Sequence, residues 1–183
     1  MTQLKGIEVK YHVQDAEALL LALKARSIEL DDPIYQDDQA YAPEGWSYGD
    51  NKLGVSFVRL RTVNGTHTFT LKRPAENALS CDEYETAVAD RDQMHHAILA
   101  MGFYPTVRIA KTRRTATLDD LSLCVDEVEG IGTFVELERL VPDDVPGEAV
   151  QAELAAFVAD LNIEAERTEE TYDSLVRAAT TSA

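Results

Sequence analysis

Apolar and polar residues alternate with a period of two in several short stretches of the chain. In residues 5–13, the odd-numbered positions from Ile7 to Val13 are apolar, and the positions between them include Glu8 and Lys10. Such alternation is typical of a strand with one buried face. The same pattern predicts further strands in residues 56–62, 67–73, 82–88, 106–117, 121–128 and 133–140.

Turn and capping residues mark the ends of the predicted elements. Asn64 and Gly65 separate two of the strands, and this pair favours a tight hairpin because both residues tolerate positive φ. Asp15 is a good N-cap, and Gly102 is typical of a helix end. Helices are predicted in residues 15–26, 91–101, 146–161 and 168–178.

One long irregular segment, residues 42–54, contains Trp46 and Tyr48 and is punctuated by proline and glycine. Loops of this length in compact domains are functional flaps or disordered segments, and composition does not separate the two. Either aromatic ring is a candidate to stack on a nucleobase, with an ordered surface aromatic as the alternative.

The chain has 183 residues, with 17 Lys and Arg against 33 Asp and Glu, so its formal net charge is −16. This length fits one domain, residues 1–183, with residues 178–183 expected to be frayed. The negative charge disfavours nucleic acid and anionic membranes as partners. Cys81 and Cys124 form no CxxC pair, and the N-terminus lacks an export signal, so a cytoplasmic protein is expected.

The charge is unevenly distributed along the sequence. Residues 59–114 carry 9 basic and 6 acidic side chains, whereas residues 115–183 carry 3 basic and 17 acidic ones. Over half of the positive charge therefore lies in the central third of the chain. An excess of this size is compatible with chance, so the position of each charge within its strand decides its meaning.

Within the predicted strands, side chains of the same sign recur two residues apart and therefore share one face of the sheet. The pairs are Arg59 and Arg61, Lys111 and Arg113, Glu83 and Glu85, and Glu136 and Glu138. A solvated outer face explains any one such pair. If the sheet instead closes into a barrel with its apolar side under helices, the charged faces line a tunnel.

A tunnel of mixed charge has an obvious class of ligand. Converging Arg and Lys side chains would neutralise a polyphosphate, and carboxylates would hold Mg²⁺ or Mn²⁺ against the phosphate oxygens. We therefore expect a small-molecule triphosphate as partner, with a divalent cation as cofactor.

The ordered motifs of the chain resemble the CYTH superfamily, which includes class IV adenylate cyclases, thiamine triphosphatases and inorganic triphosphatases. The matching segments are IEVKY (7–11), VRLR (58–61), TLKRP (70–74), DEYET (82–86), GFYPTVRIAKTRR (102–114), DEVEGIG (126–132) and FVELE (134–138). The resemblance implies an α+β fold, an antiparallel eight-stranded β-barrel forming a tunnel with helices packed outside.

The resemblance also implies roles for individual residues. Triphosphate contacts are implied for Lys10, Arg59, Arg61, Lys72, Lys111 and Arg113. Metal ligation is implied for Glu8, Glu136 and Glu138, and an acidic wall for Glu83, Glu85 and Asp126. Glu8 and Lys10 are the candidate catalytic pair, as base and water-positioning group. Gly6 stands where the family's ExExK signature has its first Glu, which should weaken a metal site more than phosphate binding.

Three candidate functions follow from this resemblance and from the replacement of the first Glu of ExExK by Gly6. The first is class IV adenylate cyclase activity, converting ATP to cyclic AMP and pyrophosphate. The second is a triphosphatase that hydrolyses the terminal phosphate of thiamine triphosphate, inorganic triphosphate or a nucleotide. The third, favoured by Gly6, is a non-catalytic polyphosphate or nucleotide sensor. Some members of the family form dimers, so a homodimer stays open.

Overall fold

The computed structural model describes residues 4–74 and 81–182, and these form nine strands and four helices. The elements are β1 (Leu4–Val13), α1 (Ala16–Ala25), β2 (Ile34–Pro43), β3 (Phe57–Val63), β4 (Thr66–Pro74), β5 (Cys81–Val88), α2 (Arg91–Ala100), β6 (Phe103–Leu118), β7 (Leu121–Val128), β8 (Gly132–Pro142), α3 (Gly147–Asp160), β9 (Ala165–Thr168) and α4 (Tyr172–Thr181).

The strands belong to one sheet with the order β5-β4-β3-β2-β6-β7-β8-β1-β9. The registered strand pairs are antiparallel, from β4 with β5 to β1 with β9. The predicted α+β class with an antiparallel sheet is confirmed. The sheet has nine strands instead of eight, and its order has two ends, β5 and β9.

The chain divides into two compact units. The first contains residues up to Ile34 and Thr112–Glu170, and the second contains Tyr35–Lys111 and the residues from Thr171 onward. Strand β6 contributes its first part to the second unit and its last part to the first.

In the first unit, helix α3 packs against strands β1 and β8. The alternation of β1 has the predicted result, because Ile7, Val9 and Val13 are buried. Helix α1 begins as predicted, since Asp15 accepts a hydrogen bond from the Ala18 amide at 3.0 Å. Ile7, Val9 and Val13 thus form the buried side of β1, the strand against which α3 packs.

In the second unit, α2 and its neighbours cover the apolar side of β2, β3 and β4. The core cluster joins Tyr41, Val58 and Leu60 to Ile98 of α2. The predicted hairpin between β3 and β4 is present, with φ of 49° at Asn64 and 76° at Gly65. These positive angles are the reason that Asn-Gly suits a two-residue turn.

Three features differ from the sequence-based prediction. Strands β2 and β9 were not predicted, because neither has a clean alternation of apolar and polar residues. The last helix begins at Tyr172 and continues to Thr181, within the segment expected to be frayed.

None of the helices among the described residues is long and apolar enough to cross a membrane.

Candidate functional site

Each unit has a charged sheet face opposite the helices that cover its apolar side. In the second unit we call this the basic face; it carries Arg59 and Arg61 on β3, Lys72 on β4 and Lys111 on β6. In the first unit we call it the acidic face; it carries Glu8 on β1, Asp126 on β7, and Glu136 and Glu138 on β8.

On the basic face, Arg61 is held by a carboxylate from the neighbouring strand. Its Nε and a terminal nitrogen each donate to Asp38, both at 2.7 Å, and Asp38 is 3% exposed. The strand register explains the pair, because Asp38 lies directly across from Arg61. A forked contact of this kind fixes the orientation of the guanidinium as well as its charge.

Arg59 is less completely satisfied than Arg61. One terminal nitrogen donates to Thr70 at 3.1 Å and reaches Glu85 at 3.5 Å. Its Nε is buried and has no hydrogen-bond partner in the part of the chain that the structure describes. Burial, and then the charge of Arg61, lower the pKa of Arg59. A buried donor without a partner is costly, so an anion placed here would relieve that cost.

The two lysines of the basic face differ in exposure. Lys72 pairs with Glu83 at 3.1 Å, and both side chains are more than two-fifths exposed. Lys111 is 4% exposed, and its ammonium nitrogen lies 4.8 Å from the centroid of the Tyr172 ring. The aromatic face compensates part of that buried charge through a cation–π contact.

The first turn of α4 lies beside the basic face. Burial raises the pKa of Asp173, while the positive charges of Lys52 and Arg59 act in the opposite direction. Lys52 also donates to the Ser174 hydroxyl at 3.4 Å. The helix therefore brings a carboxylate close to the cations of this face.

The aromatic residues of the loop before β3 have structural partners. Trp46 is 7% exposed and packs edge-on against Tyr48 and Phe57. Its indole N–H donates to the carbonyl of Asn51 at 3.2 Å. The Arg177 guanidinium lies 4.0 Å from the centroid of the Tyr48 ring. Trp46 thus anchors the loop and does not present a free ring for a nucleobase.

The pairing of β1 with β8 determines which side chains of the acidic face lie next to each other. Glu8 lies directly across from Glu138, and Lys10 lies directly across from Glu136. Lys10 also donates through its Nζ to the carbonyl of Glu170 at 3.2 Å. Two carboxylates face each other at one step of the ladder, and a lysine and a carboxylate face each other at the next.

Arg113 and Asp126 form the most buried ion pair of the acidic face. Two guanidinium nitrogens of Arg113 each donate to Asp126 at 2.6 Å, and Asp126 is fully buried. Glu136 accepts a further bond from Arg113 at 3.3 Å. Burial alone would lower the pKa of Arg113, but the hydrogen bonds and charge of Asp126 outweigh it and raise that pKa.

Gly6 and Glu138 are in unusually close contact. A Cβ atom added to Gly6 would lie 2.2 Å from Glu138 Oε1 and 3.3 Å from its Cδ. No side chain at position 6 could share that space with the present position of Glu138. The carboxylate therefore lies in the volume that the first residue of an ExExK signature would occupy.

The acidic face has the donor chemistry of a divalent-cation site. Glu8, Glu136 and Glu138 offer carboxylate oxygens from one face of two paired strands, the ligand type that Mg²⁺ and Mn²⁺ prefer. Within residues 4–74 and 81–182, no three His, Cys, Asp or Glu side chains already converge as a metal site. The residues fit the ion by type and face, while Glu138 lies over Gly6 and Glu136 bonds Arg113.

The residues predicted for an acidic wall have cationic partners within their own units. Glu83 and Glu85 accompany Lys72 and Arg59 in the second unit, and Asp126 pairs with Arg113 in the first. Their common role as an acidic wall stays a prediction. Three groups were missed by the prediction, namely Asp38, Thr70 and Asp173. Asp38 lies on an unpredicted strand, and the role of the other two depends on neighbours distant in sequence.

A solvated outer face does not explain the central charges. The side chains of Arg59, Arg61 and Glu136 are only 22%, 18% and 16% exposed. Each of the three is paired with a group of opposite charge, as charged side chains with little exposure usually are. The more exposed Glu83 and Glu85 do fit a solvated rim.

The chain is similar to known proteins over most of its length. The CYTH domain model matches residues 4–172. Adenylate cyclase CyaB of Aeromonas hydrophila is 27% identical over 140 residues, covering 75% of this chain and 70% of that protein. The protein MJ0240 of Methanocaldococcus jannaschii, which carries a provisional adenylate cyclase name, is 24% identical over 159 residues, covering 86% and 89%.

Solved structures share the fold at lower identity. The PH1819 protein of Pyrococcus horikoshii superposes with a TM-score of 0.78 at 20% identity, covering 94% of this chain and 98% of that one. HpAC1 from Hippeastrum, for which a dominant triphosphatase activity is described, superposes with a TM-score of 0.65 at 18% identity, covering 94% and 95%. With its motifs, fold and family model in agreement, the chain belongs to the CYTH domain family.

Proposed function

We propose that the protein is a metal-dependent enzyme that acts on a nucleoside triphosphate, with adenylate cyclase chemistry as its first candidate reaction. The observation that carries this proposal is the basic face of the second unit. Arg59 keeps there a buried Nε that has no hydrogen-bond partner among the described residues, and the same unit holds Arg61 and the buried Lys111. Such a cluster suits a chain of phosphates, which offers several charged acceptors in a row.

The names of the relatives support the cyclase reaction for this chain. CyaB carries the name adenylate cyclase, and MJ0240 carries it provisionally. In this reaction the ribose 3′-oxygen forms a bond to the α-phosphorus of ATP. The bond from that phosphorus to the bridging oxygen breaks, and pyrophosphate leaves with its electron pair.

Each face has a distinct part in the proposed chemistry. In the second unit, the cations proposed to bind and neutralise phosphate oxygens are Arg59, Arg61, Lys72 and Lys111. In the first unit, the cations proposed to do so are Lys10 and Arg113. Glu8, Glu136 and Glu138 would hold Mg²⁺ or Mn²⁺, which when bound neutralises phosphate charge. Glu8 would accept the proton of the attacking hydroxyl, and Lys10 would orient that group. Positioning and charge stabilisation supply most of the rate in reactions of this type.

A triphosphatase is the second candidate, and the activity described for HpAC1 favours it. Here the oxygen of water forms a bond to the terminal phosphorus, the bond from that phosphorus to the bridging oxygen breaks, and the products are phosphate and the corresponding diphosphate. The same cations and carboxylates would serve, because only the attacking oxygen and the phosphorus differ. Nucleotides, thiamine triphosphate and inorganic triphosphate are the substrates to compare.

Incubation with ATP and Mn²⁺ or Mg²⁺, with products resolved by chromatography, separates these reactions. Cyclic AMP with pyrophosphate supports the cyclase, and ADP with phosphate supports the triphosphatase. A Glu8→Gln variant should lose activity while retaining its fold by circular dichroism. Binding without turnover of ATP, thiamine triphosphate or inorganic triphosphate would overturn the enzyme proposal in favour of a sensor.

A further inference from the structure

Thr70 is fully buried on β4, and its hydroxyl joins two charged side chains of the neighbouring strands. We infer that Thr70 is a positioning residue for phosphate binding, because its hydroxyl orients the Arg59 guanidinium without neutralising its charge. The inference rests on the proposed function, in which the basic face binds the phosphates of a triphosphate. Since Thr70 has no exposed surface, it acts through Arg59 and does not itself touch the ligand.

The three side chains lie in one row across three paired strands. Thr70 lies directly across from Arg59 of β3 on one side and from Glu85 of β5 on the other. A terminal nitrogen of Arg59 donates to the Thr70 hydroxyl oxygen at 3.1 Å, and that hydroxyl donates to Glu85 at 2.9 Å. An arginine can only donate and an ionised carboxylate can only accept, so Glu85 orients the hydroxyl with its oxygen toward Arg59.

The neighbours of Arg59 and Arg61 on strand β2 differ in chemistry. Arg61 lies across from Asp38 and donates to it twice at 2.7 Å. Arg59 lies across from Ala40, whose methyl group offers no acceptor. Thr70, on the opposite side of Arg59, thus holds that guanidinium as Asp38 holds Arg61, with a neutral oxygen in place of a carboxylate.

A neutral acceptor orients a guanidinium and leaves its charge available to an anion. Glu85 approaches Arg59 only at 3.5 Å and is 52% exposed, so solvent screens its charge. Because the guanidinium is planar, holding one terminal nitrogen restricts the direction of the Nε–H bond. That Nε is the buried donor for which the described residues provide no partner. Thr70 therefore keeps this donor aimed in one direction for a phosphate oxygen.

Thr70→Val replaces the hydroxyl by a methyl group of similar size and should weaken the binding of inorganic tripolyphosphate. Without the hydroxyl, the long Arg59 side chain must be ordered when the ligand binds. That cost corresponds to a Kd raised about three- to ten-fold. Thr70→Ser keeps the hydroxyl and should bind with a Kd close to that of wild type.

Thr68→Val is the matched control on the same face of the same strand. Thr68 lies directly across from Arg61, which already donates to Asp38. Loss of this hydroxyl should change the Kd only slightly, although the substitution and its strand are the same.

Calorimetric titration of the full chain with sodium tripolyphosphate alone separates positioning from a general structural effect. The central comparison is a cycle of wild type, Thr70→Val, Arg59→Met and the double variant. If Thr70 acts through Arg59, Thr70→Val should raise the Kd in wild type and have no further effect in the Arg59→Met background. Thermal melting without ligand verifies that each variant is folded, and Thr70→Ala removes the same hydroxyl should the valine variant not fold.

The outcomes separate this inference from the proposed function. An unchanged Kd in folded Thr70→Val overturns the inference, and so does a loss that persists in the Arg59→Met background. A serine variant as weak as the valine variant, or an equal loss in Thr68→Val, contradicts it as well. Wild-type protein that binds no tripolyphosphate at millimolar concentration overturns the proposed role of the basic face, and this inference with it.

Discussion

The basic face and the acidic face are both charged sheet surfaces, but they differ in how their charges are compensated. On the basic face, Arg61 forms two parallel hydrogen bonds with Asp38, while Arg59 has a buried donor that finds no partner within residues 4–74 and 81–182. On the acidic face, Glu8 and Glu138 oppose each other across one step of the strand ladder. One face therefore has a donor that lacks an acceptor, and the other places two carboxylates at the same step of the ladder.

This difference indicates which ligand each face would accept. An unsatisfied guanidinium donor gains most from an anion, and opposed carboxylates gain most from a cation. The pair of Arg61 with Asp38 and the pair of Arg113 with Asp126 fix the positions of those two guanidinium groups. The following predictions change single members of the two faces, from the largest expected effect on stability or binding to the smallest.

Asp126→Asn should be the most destabilising of these changes. Asp126 is fully buried and accepts both bonds from Arg113 at 2.6 Å, so its replacement leaves a largely buried guanidinium undercompensated. Breaking a pair of this kind costs about 3–5 kcal/mol. The free energy of unfolding in guanidinium chloride gives the measurement.

Asp120→Asn is the matched control for that variant. Asp120 is 66% exposed and contacts Arg139 at 3.2 Å. Exposed pairs contribute about 1 kcal/mol or less. Equal losses in the two variants would contradict the anchoring role given to Asp126.

Arg59→Met should weaken the binding of inorganic tripolyphosphate. Hydrogen bonds to charged groups contribute about 1.5–3 kcal/mol, which corresponds to a Kd raised about ten- to one-hundred-fold. Arg108→Met removes the same charge from a side chain that is 65% exposed and pairs with Asp37. The control should change the Kd only slightly. A comparable loss of affinity in both variants would mean that the loss comes from the change in net charge and not from the position of Arg59.

Asp173→Asn should make stability less dependent on pH. Burial raises the pKa of Asp173, so the folded state binds the proton more tightly than the unfolded state does. The associated stability is present below the ordinary Asp pKa of about 4 and is lost as pH rises through the folded-state pKa. At pH 7 the variant should be more stable than wild type by up to about 1 kcal/mol, within the usual range of single substitutions.

Unfolding curves at pH 3.5 and pH 7 give this comparison for Asp173→Asn. The advantage of the variant should shrink at the lower pH. Glu169→Gln removes a charge from an exposed position four residues earlier and should show no such trend. A variant less stable than wild type at pH 7 would mean that attraction to Lys52 and Arg59 dominates over burial.

Glu83→Gln should have the smallest effect. Its partner Lys72 is 42% exposed and Glu83 is 43% exposed, so solvent screens the pair. The free energy of unfolding should change by about 0.5 kcal/mol or less. A loss of 2 kcal/mol would show that the rim of the basic face is as tightly coupled as its centre.

Local patterns sufficed to predict much of the fold. The alternation in β1, the Asn64-Gly65 turn and the Asp15 cap all depend on neighbours close in sequence, and each was confirmed. Strand β2 was missed because Asp38 lies at a buried position, which only its pairing with Arg61 makes tolerable. Strand β9 has four residues and depends on pairing with β1, so its sequence alone carries little signal.

The candidate site was predictable by residue type and less so by arrangement. Alternation correctly placed Arg59 and Arg61 on one face and Glu136 and Glu138 on another. The Asp173 carboxylate and the position of Glu138 over Gly6 depend on contacts between segments far apart in sequence. From the sequence, Gly6 indicated only that one carboxylate of the ExExK signature is absent. The structure adds that the end of Glu138 lies in the space that this side chain would occupy.

Crossed calorimetric titrations of Arg59→Met and Glu8→Gln, with tripolyphosphate alone and with Mn²⁺ alone, test the central claim most directly. The claim is that the basic face takes the anion and the acidic face takes the cation. Arg59→Met should weaken tripolyphosphate about ten-fold or more and leave Mn²⁺ unchanged, and Glu8→Gln should do the reverse. Loss of both ligands in both folded variants, or loss of the opposite ligand in each, would contradict the account.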